Sequence, residues 1–141
     1  MVFLGPNIPS SKNSKVATSK GVFHSKTVGK FLREIGIQHY SAGRKEVTLY
    51  KTKPCWFPYE ELKELFKDVE YPCEVGLHFV RSSKTKFDFH NACQIIFDLL
   101  VAWDILEDDN MNCVIPYVLK IDEKWFSINK ETPGVWITVK K

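Results

Sequence analysis

Phe87-Asp88-Phe89-His90-Asn91-Ala92-Cys93-Gln94-Ile95-Ile96-Phe97-Asp98-Leu99-Leu100-Val101-Ala102-Trp103 is the stretch from which the rest of the chain is read. Ala92, Ile95, Ile96, Leu99, Leu100 and Trp103 recur at the spacing of one helix face, so a helix is predicted over Asn91–Trp103 with that stripe against a core. Asn91, Gln94 and Asp98 follow the same period on another face and form a polar stripe. Asp88, just ahead of the periodic residues, has the chemistry of an N-cap. Beyond the helix, Glu107-Asp108-Asp109-Asn110 is a polar turn.

Strand patterns flank this helix on both sides. Val75, Leu77 and Phe79 alternate with Glu74, Gly76 and His78, the period of a half-buried strand ending at Arg81, and Ser82-Ser83-Lys84-Thr85-Lys86 is the turn between them. After the acidic turn, Cys113, Ile115, Tyr117, Leu119 and Ile121 alternate, with Pro116 suited to an edge strand. Trp125–Ile128 and Val135–Val139 read as closing strands, and Trp103, Trp125 and Trp136 as core residues.

Toward the amino terminus, Val2–Leu4 is a short strand, and the turn formers and small polar residues from Gly5 to Lys15 make an extended loop. Val28, Phe31, Leu32 and Ile35 repeat at helical spacing between Ser25 and Gly36, a cap residue and a stop residue. Glu46–Thr52 alternates as a strand, and Pro58 opens a second helical pattern in which Leu62, Leu65 and Phe66 share a face. Strands interspersed with two or three helices predict an α+β domain in which a small mixed β-sheet packs against the helices.

At 141 residues one domain, 1–141, is expected, long enough to bury roughly 70% of its unfolded surface without metal or disulfide staples. The composition, 44% hydrophobic and 26% charged, excludes disordered and collagen-like classes. No apolar run approaches the roughly 20 residues of a membrane span, and no leader is visible ahead of Gly5-Pro6. Cys55, Cys73, Cys93 and Cys113 include no Cys-x-x-Cys pair and read as reduced thiols of a cytoplasmic protein. The net charge of +3 hides an asymmetry: residues 1–54 carry ten Lys/Arg against Glu34 and Glu46, a balance of +8, and the rest carries ten basic and fifteen acidic side chains, −5. Such a division suits a polyanion on one surface and gathered carboxylates elsewhere, although a solvated lysine-rich surface produces the same count.

Asp88, His90, Asn91, Asp108 and Asp109 are the residues with the chemistry for a reaction centre. Mg2+ takes oxygen ligands and is held by one or two carboxylates together with substrate phosphate, and a metal so held activates water against a phosphodiester. Each residue also has an ordinary structural use, Asp88 as a cap and the acidic run as a turn.

Taken in order, Phe87-Asp88-Phe89-His90-Asn91 ahead of the amphipathic helix and Ile105-Leu106-Glu107-Asp108-Asp109 after it resemble the RusA-like Holliday junction resolvases, whose pattern is Asp-x-Asp-Asn, a helix, then an acidic turn entering a strand. Ile8-Pro9-Ser10-Ser11-Lys12-Asn13-Ser14 is similar to the Pro-Ser-x-Asn loop of that family. The resemblance covers about three quarters of the chain; Lys45–Tyr71 has no counterpart and reads as an insertion, about 45–71. It implies a RusA-like fold and a structure-selective endodeoxyribonuclease that resolves branched DNA by metal-dependent hydrolysis in recombination and repair. Asp88, His90 and Asp109 would be catalytic; Asp88, Asp109, Asp108 and His90 would ligate Mg2+ or Mn2+. Asn91 and Gln94 would support them, and Lys12, Lys15, Lys84, Lys86 and Arg81 would contact phosphates. Two positions depart from the pattern, since His90 stands where the family has its second Asp and Gln94 where it has a helical Lys. An imidazole ligates Mn2+ readily but removes one negative charge from a Mg2+ site. The alternative is therefore a catalytically weakened junction-binding module.

A homodimer is expected because a four-way junction has approximate two-fold symmetry and a C2 dimer supplies two matching sites. Chain reach bears on how such a site closes. A helix over Asn91–Trp103 is about 20 Å long, and Asp104–Asp109 spans at most about 20 Å, so Asp109 meets Asp88 of its own chain only by a straight return along the helix. Otherwise the acidic turn meets Asp88 of a partner.

Overall fold

Cys73–Arg81 is the strand on which the whole sheet is built, and every other strand of that sheet is placed by its pairing to it or to its neighbour. The computed structural model describes residues 1–5, 7–9, 15–18, 21–24, 30–31, 37–41, 46–49 and 58–140. In chain order the described strands are β1 (Val2–Leu4), β2 (Lys15–Thr18), β3 (Gly21–His24), β4 (Ile37–Ser41), β5 (Glu46–Leu49), β6 (Cys73–Arg81), β7 (Val114–Val118), β8 (Ser127–Ile128) and β9 (Gly134–Val139). The described helices are α1 (Tyr59–Leu65) and α2 (Phe89–Ala102). Five strands form one mixed sheet in the order β1-β9-β6-β7, with β8 also on β6. β9 is antiparallel to both β1 and β6, whereas β7 and β8 run parallel to β6. β2–β3 and β4–β5 are separate antiparallel pairs. The protein is thus a small α+β fold with a mixed sheet, as the alternation of patterns predicts.

α2 covers one face of the sheet. Ala92, Ile95, Ile96, Leu99 and Leu100 share a core with Val75, Leu77 and Phe79 of β6 and with Val135, Ile137 and Val139 of β9. Cys93, Phe97 and Val101 are buried too, so the apolar face of α2 is wider than the predicted stripe. The Asp88 carboxylate accepts from the His90 amide at 2.9 Å and the Asn91 amide at 3.4 Å, two donors a helix start leaves without an intrahelical partner. At the other end Asp104 takes the left-handed conformation (φ 59°), and the amides of Asp104 and Ile105 donate to Val101 O and Leu100 O. That is a Schellman closure with aspartate in the usual place of glycine, and it sends the chain away from the helix axis. The helix lies within two residues of the predicted span.

β6 departs from the half-buried strand expected of its alternation. Only Glu74 is exposed among its nine residues. The physical reason is that residues of and beside the flanking strands β7 and β8 reach over its second face. Tyr117 of β7 lies so close over Gly76 that an added Cβ would sit 2.6 Å from its ring. His78, 1% exposed, is held by Leu119 O at 2.8 Å and Ser127 Oγ at 2.7 Å. Its polarity is met by hydrogen bonds rather than by solvent. β7 lies at the sheet edge, the position that suits Pro116. The Leu119 amide donates to Leu77 O and the Cys113 carbonyl accepts from the Cys73 amide, so odd-numbered peptide groups face β6. The position at which Pro116 lacks an N–H therefore faces outward, on the edge that carries no further strand among the described residues.

α1 brings Leu62 and Phe66 into the same core, with Tyr59 against Trp103 at a ring separation of 4.1 Å. The carboxy-terminal part of the segment read as an insertion is therefore packed into the domain. Of the amino-terminal helix, Lys30 and Phe31 are helical and Phe31 is buried; the rest of that prediction lies outside the described residues. Trp125 corrects the reading of three core tryptophans, because it is 59% exposed.

Cys73, Cys93 and Cys113 are free and buried, and Cys55 lies outside the described residues. Burial pushes the Cys93 thiol up to about 12. Since the thiolate is the nucleophile, iodoacetamide at pH 8 is expected to leave Cys93 unmodified in the native chain and to alkylate it in urea, read by peptide mass. The same raised value makes the stability contribution of Cys93 complete below the ordinary thiol range and lost as pH rises toward 12. Native-state alkylation of Cys93 at the rate seen in urea would contradict its burial on the core side of α2.

Candidate functional site

The path of the chain sets where the chemistry-bearing residues lie. β6 ends at Arg81, the turn 82–88 comes next, and α2 then runs back along the sheet to deliver the chain to β7, which starts beside Cys73. Asp88 therefore stands at the carboxy-terminal end of β6 and the acidic turn at its amino-terminal end. Tyr71, two residues before β6, accepts through its hydroxyl oxygen from the Glu107 amide at 3.3 Å and fixes the acidic turn there. With fourteen residues, α2 separates the two ends by about 20 Å.

At the Asp88 end, Ser83 and Thr85 shape the turn through a hydroxyl contact of 2.9 Å and the Thr85 amide donating to Ser83 Oγ at 3.3 Å. Lys84, Lys86, Asp88 and His90 are exposed along one rim, with Gln94 exposed one turn further along α2. One oxygen of Asp88 serves as the cap of α2. Asn91 is half-buried, and among the described residues its side-chain nitrogen has no hydrogen-bond partner.

Arg81 belongs to the interior rather than to this rim. It is 8% exposed, donates through Nη1 to Ile8 O at 2.9 Å and lies 4.5 Å over the Phe87 ring. Burial lowers its pKa. The expected phosphate contact at Arg81 is therefore corrected: its guanidinium ties the amino-terminal segment to the end of β6. The strand pattern already placed Arg81 at the end of β6, but its alternation could not show that Ile8 and Phe87 close over it.

At the other end, Asp108 accepts from the Asp109 amide at 2.8 Å and from Asn110 Nδ2 at 3.2 Å, while Asn110 Oδ1 accepts from the Asn112 amide at 2.9 Å. These local bonds are those of an Asx-rich turn. Asp109 is exposed. Lys12 lies outside the described residues; Lys15 is in β2, and its side chain is not described.

The expected ligands of Mg2+ thus fall into two groups. Asp88 and His90 share one end, Asp108 and Asp109 the other, and among the described residues no three His, Cys, Asp or Glu side chains converge. Within one chain these residues do not fit a divalent cation held by Asp88 and Asp109 together, because the helix between them acts as a spacer.

Sequence reasoning missed a feature beside the rim. Trp125, Phe126 and Ile128 are all exposed, and Phe126 meets Phe87 edge-on at 5.9 Å. Trp125 and Phe126 lie in a bend ahead of β8 rather than in a strand, so no strand alternation carries either of them into the core.

No family model, curated protein or solved structure matches the chain. Among the described residues, no helix is long and apolar enough to cross a membrane.

Proposed function

We propose that this protein binds branched DNA as a RusA-like junction protein, and that cleavage, which the resemblance implies, requires two protomers. The observation that carries this reading is the rim at the carboxy-terminal end of β6, where Lys84 and Lys86 stand exposed immediately ahead of Asp88 and His90. Lysines there supply phosphate contacts, which set position and affinity rather than sequence. The exposed imidazole and carboxylate supply a proton acceptor and an oxygen ligand at the same rim.

Asp88 and Asp109 lie at opposite ends of α2, so a nuclease centre containing both draws its acidic turn from a second copy. A homodimer of C2 symmetry provides this twice, matching the two strands to be cut. A second reading, a junction-binding module without hydrolysis, is favoured by the use of Asp88 as a helix cap and by His90 and Gln94 at the two departures from the family pattern.

A labelled four-way junction titrated with the full chain, in Mg2+ and separately in Mn2+, tests both. Binding with nicking supports the endonuclease; binding alone supports the module; neither binding nor nicking ends the DNA reading. Replacing Lys84 and Lys86 together by alanine is expected to weaken junction binding and to reduce the slope of log affinity against log salt by about 2, as two phosphate contacts are lost. An unchanged slope removes the rim from the DNA surface.

A further inference from the structure

Two residues with φ in the left-handed region, Asp122 (51°) and Glu123 (65°), make the turn from Ile121 to Lys124, whose backbone groups bond reciprocally at 3.0 Å. Both central residues at positive φ are the mark of a tight type I′ reversal, and neither is glycine. The reversal sets Lys120 across from Trp125. The Lys120 ammonium lies 4.7 Å from the centre of the indole ring and 3.6 Å from Glu123.

One side of the Trp125 ring is thus covered by a cation, and the residue remains 59% exposed. β8 anchors the chain just beyond this aromatic pair: Ser127 and Ile128 pair with Val80 and Arg81, and Ser127 Oγ meets the buried His78. Phe126, partly exposed, touches Phe87, which leads directly to Lys86 and Lys84. The Phe87–Phe126 contact thus joins the Trp125 turn to the segment that carries the lysine rim.

We propose that Trp125, with Phe126 beside it, is a stacking platform for unpaired bases of a single-stranded DNA segment, with Lys84, Lys86 and Lys124 along its backbone. The proposal rests on the DNA reading above and deepens it, since it names the part of a branched substrate that the protein grips. Aromatic faces take any base, and interleaved lysines track the phosphates, the combination by which single strands are held without sequence preference.

The test uses the full chain with a fluorescent oligothymidylate of about 15 nucleotides and a duplex of equal length. Trp125→Ala is expected to weaken oligothymidylate binding by about tenfold or more and duplex binding by less than about twofold, with Trp125→Phe restoring most of the loss. Unchanged oligothymidylate affinity, or equal losses on both DNAs, overturns the platform while leaving the DNA reading standing. If the unaltered chain binds neither these DNAs nor a junction, the DNA reading itself has failed. A fall in self-association of Trp125→Ala by light scattering, with DNA affinity unchanged, assigns the patch to a second copy and also overturns the proposal. Should Trp125→Ala not fold, a bromodeoxyuridine oligonucleotide photo-crosslinked to the unaltered chain decides the matter. Adducts at Trp125 or Phe126 support the platform, and adducts confined elsewhere overturn it.

Discussion

Gly134→Ala is expected to cost about 3 kcal/mol of stability, at the upper end of what overpacking a well-filled site costs, with a lower urea midpoint and an unchanged m-value. Gly134 opens β9, opposite Val80 of β6, at the point where β1 hands the chain to Gly5. A Cβ there would lie 2.4 Å from Leu4 O, 2.5 Å from the Phe3 ring and 3.0 Å from Gly5 Cα. Two of those three atoms are backbone, so relief requires β1 to move away from β9 and its register Val2–Ile137, Phe3–Trp136, Leu4–Val135 to loosen. Gly76 is the instructive comparison. Its added Cβ would meet the Tyr117 ring at 2.6 Å, but that obstruction is a side chain at the sheet edge. Gly76→Ala should therefore cost less than Gly134→Ala, and pairing it with Tyr117→Ala should recover part of the loss. Equal costs at the two glycines, or a neutral Gly134→Ala, would show that β1 is not held against β9 as described.

Asp88→Asn and Asp109→Asn chains, each expected to be inactive alone, are expected to regain junction nicking when mixed, if the endonuclease reading holds. Asparagine caps a helix about as well as aspartate, so Asp88→Asn keeps α2 intact and removes only the charge. In a mixed dimer whose sites are composite, one site receives both altered residues and the other receives neither. Random exchange then returns about one quarter of the wild-type sites. The measurement is nicking of a four-way junction after the two chains are unfolded together, refolded and exchanged. Recovery from nothing to a measurable rate is the largest functional change in reach of two conservative substitutions. If either single variant nicks at the wild-type rate, that carboxylate is not part of the centre. If both are dead and the mixture stays dead while the unaltered chain nicks, sites composed across two protomers are ruled out; if the unaltered chain binds the junction without nicking it, the junction-binding module is the better reading.

Much of the fold was legible because its signals are local. The helical period from Ala92 to Trp103, the capping carboxylate of Asp88, the alternation from Val75 to Phe79 and the edge-seeking Pro116 each depend on a few neighbouring residues, and α2 and β6 formed where those residues indicated. β7, by contrast, ends at Val118, short of the alternation to Ile121, and leaves Ile115 exposed. Only tertiary packing decided that β6 is buried on both faces. Alternation reports a polar face, yet the Tyr117 ring lies over Gly76, and Leu119 and Ser127 close over His78. The same distinction separates Arg81 from Lys84 and Lys86. All three are basic and close in sequence, but Ile8 and Phe87 enclose only the first.

The acidic residues show the division most clearly. Their identities, and the helix length that separates Asp88 from Asp109, were set by the sequence itself, since 1.5 Å of rise per residue fixes how far α2 carries the chain. Whether the linker after α2 doubled back toward Asp88 was a tertiary matter. The left-handed Asp104 and the hydrogen bond from Glu107 to Tyr71 hold the acidic turn at the far end of β6, where β7 must begin if it is to run parallel to β6. Local periodicity determines which elements form and which faces are apolar; long-range packing determines which ends of those elements meet, because those contacts join residues whose separation along the chain carries no pattern.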